Sequence, residues 1–193
     1  MKPVSKSLFR KDTVTVAKAL LGKFIVRETS KGRIVAKIVE TEAYLFDDPA
    51  SHSFNGKTYR NALMFGVPGK SYVYFTYGMY HCLNVSTNKN GIGEAVLIRA
   101  LEPVEGIDIM KRNRSGVEEK NLCNGPGKLT IALGITKAHN GIDLLDGKSE
   151  LRLMQSAKEK KFEIVEATRV GISKATERLH RFYIRGNKWV SRN

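Results

Sequence analysis

The sequence predicts an α+β fold: a single domain over residues 1–193, with a mostly antiparallel curved sheet, surrounding helices and a protruding β-hairpin. Three observations predict it. Short β-branched segments follow one another with hairpin-like connections, segments with helical periodicity are few, and the chain contains no internal repeat or linker. A length of 193 residues suits one domain with its own core.

A helix is predicted over residues 12–22. Asp12 can cap its first turn, and Gly22 can end it. Val16 and Leu20 lie four residues apart, on one apolar stripe that can pack against a sheet.

Two strands are predicted next, FIVRET at 24–29 and RIVAKIVETEAY at 33–44. Both are rich in β-branched residues, and the short SKG segment between them favours a hairpin. Because side chains alternate along a strand, the second strand places Glu40, Glu42 and Tyr44 on one face.

The middle of the chain combines a long loop with further strands. Residues 45–70 hold many Asp, Asn, Pro and Gly residues, with one helical turn expected near 61–65. Long loops inside compact domains usually serve function. The segments 71–77 and 79–86 are predicted to form a hairpin, and 95–101 a third strand of an antiparallel sheet.

The second half of the chain is less regular. Pro103 is suited to the first turn of a helix, as is the Gly-Pro-Gly of a later segment. The remaining predicted elements are helices at 103–114 and 125–135 and strands at 162–168 and 181–186, while the stretches 115–124 and 136–160 are predicted to be loop-rich.

The charge indicates a polyanionic partner. There are 33 Lys and Arg against 19 Asp and Glu, a net charge of +14 with a pI near 9.8. Half of this excess falls in residues 152–193, so we expect that end to lie along a phosphate backbone. The alternative is a solvated basic surface with no such role. Charge alone does not separate DNA from RNA.

No metal, cofactor or membrane association is expected. Cys82 and Cys123 form no CxxC pair and have no histidine at ligand spacing, so we expect two reduced, structural thiols. The N-terminus has no continuous apolar core of a signal peptide, and no run of 18 apolar residues occurs. These features predict a cytoplasmic protein, which would be associated with the nucleoid if its polyanionic partner is DNA.

A carboxylate, a phenol and an imidazole can converge at one strand end. Glu42 and Tyr44 end the predicted strand, and His52 follows in the adjoining loop. Side chains of these types can act as general acids and bases in catalysis. The alternative is that the glutamates are solvated and that His52 is structural.

Tyrosines are concentrated in the predicted hairpin, where four of the seven fall within residues 72–80. Tyr72 and Tyr74 share a face and can be core residues. Tyr77 stands where the chain reverses, which suits a wedge inserted between base steps. The alternative is a side chain folded back on its own hairpin.

Several blocks in order resemble one known family. They are VETEAY (39–44), SHS (51–53), RNALMFGVPG (60–69), YVYFTYGMYHCLNVS (72–86), LIRALEPVEG (97–106), LCNGPGKL (122–129) and RFYIRGNKWVS (181–191). Together they closely resemble the alkyladenine, or 3-methyladenine, DNA glycosylase family, from Ala17 to Ser191. The resemblance implies one glycosylase domain that needs no cofactor and acts, as a monomer, on double-stranded DNA containing damaged purines.

By this resemblance Glu42 is the general base that activates water, and Arg99 helps to hold that water. Cleavage of an N-glycosidic bond passes through an oxocarbenium-like sugar, which a carboxylate also stabilises. One carboxylate suffices for an alkylated purine, because that base is already a cationic leaving group.

The resemblance also assigns the contacts to the base. Tyr44, His52 and Tyr74 form the aromatic walls of a slot for the flipped base. An electron-poor purine stacks well between such faces. Asn84 corresponds to the residue that crowds the exocyclic amino group of normal guanine.

On the DNA side, Tyr77 matches the wedge that fills the gap left by the flipped nucleotide. Met79 is expected to take part in this intercalation by supporting the hairpin beneath the wedge. Arg114 and Lys128 match contacts to the DNA backbone, and segment 181–188 can add others.

The predicted substrates are 3-methyladenine, 7-methylguanine, hypoxanthine and ethenoadenine. Two alternatives remain at this point. A non-catalytic nucleic-acid-binding module could use the same basic face and hairpin, although Glu42 would weaken simple phosphate binding. A bifunctional lyase would need a lysine nucleophile in the pocket, and the matched pocket residues include none.

Overall fold

The computed structural model describes residues 1–76, 78–158 and 161–192. Within these residues, nine strands form one sheet in which each strand pairing is antiparallel. The strands are β1 (Lys2–Pro3), β2 (Phe24–Thr29), β3 (Gly32–Tyr44), β4 (Ser71–Thr76), β5 (Tyr80–Ser86), β6 (Ala95–Glu105), β7 (Leu151–Gln155), β8 (Ile164–Ala167) and β9 (Arg181–Ile184).

The strand order is β1-β7-β2-β3-β6-β5-β4, and β9 lies beside both β3 and β8. The predicted α+β class with a mostly antiparallel sheet is confirmed. Both early strands and the β4–β5 hairpin fall where the sequence predicts them. The α-helices are α1 (Thr13–Leu20), α2 (Ile107–Asn113) and α3 (Pro126–Ala132), and short 3-10 turns lie at Leu8–Arg10, Ala62–Phe65, Glu119–Asn121 and Lys137–His139.

The first helix begins as its sequence predicts. The Asp12 carboxylate accepts a hydrogen bond of 2.8 Å from the Thr15 amide, which satisfies a donor of the first turn. Val16 and Leu20 are fully buried. Thr41 of β3 fixes α1 against the sheet by donating to the Ala17 carbonyl at 2.9 Å.

Strand β3 is the centre of the sheet. Its first half pairs with β2, and its second half pairs with β9 along the same edge. Strand β6 covers the opposite edge, with irregularities of register on either side of Glu40. The segment Glu40–Glu42 therefore has a strand on each side, which fixes the backbone that carries these side chains.

The predicted start of the second helix at Pro103 is wrong, although a helix does form within the predicted range. Pro103 lies in β6 opposite Ala36, beside a register irregularity where the missing N–H of proline is tolerated. The helix begins at Ile107, after Gly106 takes a left-handed conformation with φ of 74°. A side chain at that glycine would collide with the Arg33 carbonyl oxygen.

The stretch 136–160, predicted to be loop-rich, contains a strand that was not predicted. Strand β7 pairs with both β1 and β2. Its sequence, LRLMQ, has no β-branched residue, so enrichment in β-branched residues, which predicts the early strands, does not predict this one.

One large core lies between the sheet and the helices. Cys82 and Cys123 are buried and form no disulfide, as predicted. In the described residues, no helix is long and apolar enough to cross a membrane. The largest fully buried side chains include Phe9, Leu20, Ile38, Leu83, Leu101, Met110 and Phe182.

Candidate active site

A cavity of about 350 Å³ opens where β3, β4, β5 and β6 meet. This volume is at the small end of ligand pockets and suits one flat ring system. The structure brings six of the predicted site residues into its lining: Glu42, Tyr44, His52, Tyr74, Asn84 and Arg99. The lining also includes Met64, Tyr72, Cys82, Leu97 and the segment 170–172.

Glu42 is fully buried at the end of β3. Its Oε2 accepts a hydrogen bond of 2.9 Å from the Tyr44 hydroxyl, and its Oε1 accepts one of 2.9 Å from the Val170 amide. Nη1 of Arg99 lies 3.4 Å from the same Oε1. Burial raises the pKa of Glu42 above its ordinary value, and the charge of Arg99 opposes that rise. The carboxylate is thus held rigidly and has an elevated basicity.

Glu40 is a second carboxylate that pairs with Arg99. Its Oε1 lies 3.2 Å from Nε of Arg99 and 2.9 Å from Nη1 of Arg181. Ser191 joins the group: its amide donates to Oε2 of Glu40 at 2.7 Å, and its hydroxyl accepts from Nε of Arg99 at 3.1 Å. Two carboxylates and two guanidinium groups, including Glu42, therefore form one buried and nearly neutral cluster.

Aromatic rings line the cavity. The His52 and Tyr74 ring centroids are 4.5 Å apart at an interplanar angle of 65°, and Tyr72 lies 5.4 Å from Tyr74. The Tyr72 hydroxyl and Nδ1 of His52 are hydrogen-bonded at 2.9 Å. Burial and the charge of Arg60 lower the pKa of His52, so its ring is neutral at pH 7. Tyr72, predicted as core, is both buried and part of the cavity wall.

Tyr44 is supported by an ion pair that sequence reasoning missed. The Arg169 guanidinium lies 4.7 Å from the Tyr44 ring centroid and donates to Asp48 through both terminal nitrogens. Both charged side chains are fully buried. Asp48 lies in the loop after β3, so this pair connects that loop to the segment before Val170. The two residues are 121 positions apart, and nothing local in either segment indicates the contact.

Asn84 is buried in β5 and donates from Nδ2 to the Tyr72 carbonyl at 3.1 Å. Its side chain is therefore fixed in the cavity wall. The Val170 amide, which contacts Glu42, was also missed, because a backbone group carries no signal in the residue type.

Comparison with known proteins identifies the family. The family described as methylpurine-DNA glycosylase (MPG) matches residues 7–188 of the chain. The chain belongs to this family. It is 49% identical over 188 residues to the "Putative 3-methyladenine DNA glycosylase" of Francisella tularensis strain SCHU S4, covering 97% of each. Proteins of the same name from Carboxydothermus hydrogenoformans and Methanoculleus marisnigri are 49% and 50% identical, covering 97% and 96% of this chain and 97% of each relative. The family resemblance predicted from sequence blocks is confirmed.

A methylpurine-DNA glycosylase is an enzyme that acts on DNA. The predicted wedge, Tyr77, falls between β4 and β5 in the sequence. Tyr77 lies outside the described residues. Met79, directly before β5, is 64% exposed, and its amide donates to the Thr76 carbonyl at 3.2 Å. The role of Met79 in DNA binding stays a prediction.

The two predicted backbone contacts are both held by their own surroundings. Arg114 donates to the carbonyls of Asn121 and Leu122. Lys128 donates to Oδ1 of Asn124 at 2.8 Å, and burial lowers its pKa. Both side chains are partly exposed, and their contacts with DNA stay predictions.

The expectation that the basic C-terminal end lies along phosphate is wrong for three of its arginines. Each is the internal partner of a carboxylate elsewhere in the chain, which the charge count did not reveal. The pairs are Arg152 with Glu28 at 2.7 Å, Arg169 with Asp48, and Arg181 with Glu40 at 2.9 Å.

Proposed function

We propose that this methylpurine-DNA glycosylase flips alkylated or deaminated purines out of duplex DNA and hydrolyses the N-glycosidic bond with a water that Glu42 activates. The observation that carries the proposal is a buried, hydrogen-bonded carboxylate inside an aromatic-walled cavity about the size of one base. We further propose that the protein works as a monomer, in the cytoplasm.

The surroundings of Glu42 fit the role of a general base. A raised pKa makes the ionised carboxylate a stronger proton acceptor, and Arg99 helps to keep it ionised near neutral pH. The anion also stabilises the positive charge that develops on the sugar as the base departs. The Tyr44 hydroxyl and the Val170 amide keep the two oxygens in fixed positions, so the geometry exists before substrate binds.

The walls suit a damaged purine. Tyr44, His52 and Tyr74 offer π surfaces to a flat base, and a cationic alkylpurine gains most from them. Because His52 is neutral, it adds no positive charge that would repel such a base. We therefore propose 3-methyladenine, 7-methylguanine, hypoxanthine and ethenoadenine as substrates, with Asn84 as the residue that excludes normal guanine.

Hydrolysis by water is favoured over attack by an amine. Among the described residues, no lysine lines the cavity. A lyase mechanism requires a lysine or N-terminal amine that can reach the sugar and form a Schiff base. On this basis we propose a monofunctional glycosylase that leaves an abasic site on an intact strand.

The proposal is tested with duplexes that each contain one of the four lesions. The protein is incubated in excess, the free base is quantified by chromatography, and strand cleavage is measured before and after alkali. We expect free base to be released by the protein alone, and the DNA strand to break only after alkali treatment. Absence of base release from all four duplexes would favour a non-catalytic binding module, and a covalent adduct trapped by borohydride would show a lyase.

A further inference from the structure

The turn at 56–61 is tied to the wall of the cavity. Asn61 is buried, and its Oδ1 accepts from the Thr58 amide at 2.6 Å. Its Nδ2 donates to the carbonyls of His52 and Gly56 at 2.8 and 3.0 Å. Because His52 lines the cavity, the position of the turn is fixed relative to the base slot.

Arg60 fixes the same turn against the β4–β5 hairpin. Its guanidinium lies 5.6 Å from the ring centroid of Tyr74, and Nη2 donates to the Phe75 carbonyl at 3.3 Å. The turn therefore runs beside β4, just before the hairpin tip that carries Met79. The turn and the hairpin are thus both attached to residues that line the cavity, the turn through His52 and the hairpin through Tyr74.

Tyr59 projects from this ordered turn with a relative exposure of 103%. In the described part of the chain, it makes no side-chain hydrogen bond or ring contact. Phe75 and Met79 on the neighbouring hairpin are 50% and 64% exposed. The turn that carries Tyr59 contacts this hairpin through Arg60, and several exposed apolar side chains on adjoining elements indicate an interaction surface, whereas one isolated exposed ring would not.

The charge around this surface fits DNA. No Asp or Glu occurs between Asp48 and Glu94, a stretch that includes the turn and the whole hairpin. The same stretch carries the cations Lys57, Arg60, Lys70 and Lys89, of which Lys70 is paired with Asp143 at 3.2 Å. An anionic backbone meets no like charge from this segment, and Lys57 and Arg60 flank Tyr59 closely enough to attract phosphates to it.

We propose that Tyr59 is a second DNA-contacting aromatic, which packs against a nucleotide adjacent to the flipped one and holds the strand beside the cavity. Packing of an aromatic ring on a base or sugar requires no particular sequence, as a repair enzyme with many sequence contexts needs. The ring acts from the turn next to His52, independently of the hairpin wedge. This inference rests on the proposed function for its link to base flipping.

The test compares Tyr59→Ala with Tyr59→Trp, which keeps a stacking ring. Val104→Ala is the matched control, because Val104 is a 50% exposed apolar residue further along β6 from Arg99. Since Tyr59 is fully exposed, all variants should unfold at the wild-type temperature. Two quantities are measured for a hypoxanthine duplex: the protein concentration at half-maximal single-turnover rate, and the fluorescence change of 2-aminopurine next to the lesion.

We expect Tyr59→Ala to raise the half-saturating concentration about tenfold, as removal of a stacking aromatic typically does, and to reduce the fluorescence change. Tyr59→Trp and Val104→Ala should behave as wild type. Equal half-saturation and fluorescence for Tyr59→Ala and wild type would overturn the inference, while leaving base excision established. If wild type releases no base, the proposed function fails, and the equilibrium affinity of the same variants for the duplex still decides the role of Tyr59.

Discussion

Nη1 of Arg99 lies 3.4 Å from Oε1 of Glu42, and the two side chains are only 9% and 0% exposed. In this shielded position the guanidinium favours the ionised carboxylate, whereas burial favours the protonated one. Burial is the larger effect. Arg99 is also shared with Glu40, which limits how far its charge can compensate.

The pH dependence of excision should follow from this balance. The pKa of Glu42 lies above its ordinary value of 4.5, and only the ionised form can accept a proton from water. The single-turnover rate should therefore fall as pH decreases through that raised pKa. The midpoint of this fall, which is the acid limb of the pH–rate profile, should lie above pH 4.5. A hypoxanthine duplex is the suitable substrate, and the fold must be monitored at each pH. A rate that stays constant down to pH 4.5 would contradict the assignment.

Glu42→Gln should make the protein more stable at pH 7. A raised pKa means that the folded state favours protonated Glu42, so ionisation at neutral pH opposes folding. Glutamine resembles the protonated form and removes that cost, which we expect to stabilise the fold by about 0.5–2 kcal/mol. Chemical denaturation should show the gain at pH 7 and its loss below the unfolded pKa, near 4.5, where wild-type Glu42 is protonated. Equal stability of the variant and the wild type at pH 7 would show that ionisation of Glu42 does not destabilise the folded state.

Glu40→Gln should impair excision through Arg99. The substitution replaces one accepting oxygen by an NH2 donor and removes the negative charge that pairs with Nε of Arg99, while Nη1 of Arg99 faces Glu42. Because Glu40 also raises the pKa of Glu42, its removal should move the acid limb to lower pH. Misplacement of Arg99 should lower the maximal rate by at least about tenfold. A purely structural Glu40 would change stability without moving the acid limb.

Glu102→Gln is the control for that experiment. Glu102 pairs with Lys37 at 2.6 Å and is partly exposed, outside the cavity. Its replacement should leave both the rate and the acid limb unchanged.

Asp48→Asn should strongly destabilise the fold. It leaves the buried Arg169 guanidinium without its anion, a change that typically costs about 3–5 kcal/mol. The neighbouring Asp47, 54% exposed, pairs with Arg178 at 3.6 Å, and Asp47→Asn should cost less than about 1 kcal/mol. Urea unfolding of the two variants makes the comparison. Similar losses in both would mean that the buried pair contributes little.

Local features of the sequence were sufficient for the elements that lie near the site. The cap of α1, the alternation in β2 and β3, and the tyrosine-rich hairpin are all encoded within a few residues, and the structure has them where predicted. The proline at position 103 and the unbranched β7 were misjudged, because pairing with distant strands overrides local preference there.

The cavity itself could not be derived from local patterns. The family resemblance supplied Glu42, Arg99 and the aromatic walls as one set. The charged groups that support them come from far along the chain: Arg181 is 141 residues from Glu40, and Arg169 is 121 residues from Asp48. A charge count treats these arginines as surface cations, whereas the fold uses them as buried counter-ions.

Single-turnover excision by Glu42→Gln on a hypoxanthine duplex tests the proposed mechanism most directly. Loss of the general base should lower the rate by about 10²–10⁴-fold, while affinity for the lesion duplex, measured in parallel, stays within about threefold of wild type, because glutamine keeps the shape of the pocket. Excision at the wild-type rate by this variant would contradict activation of water by Glu42.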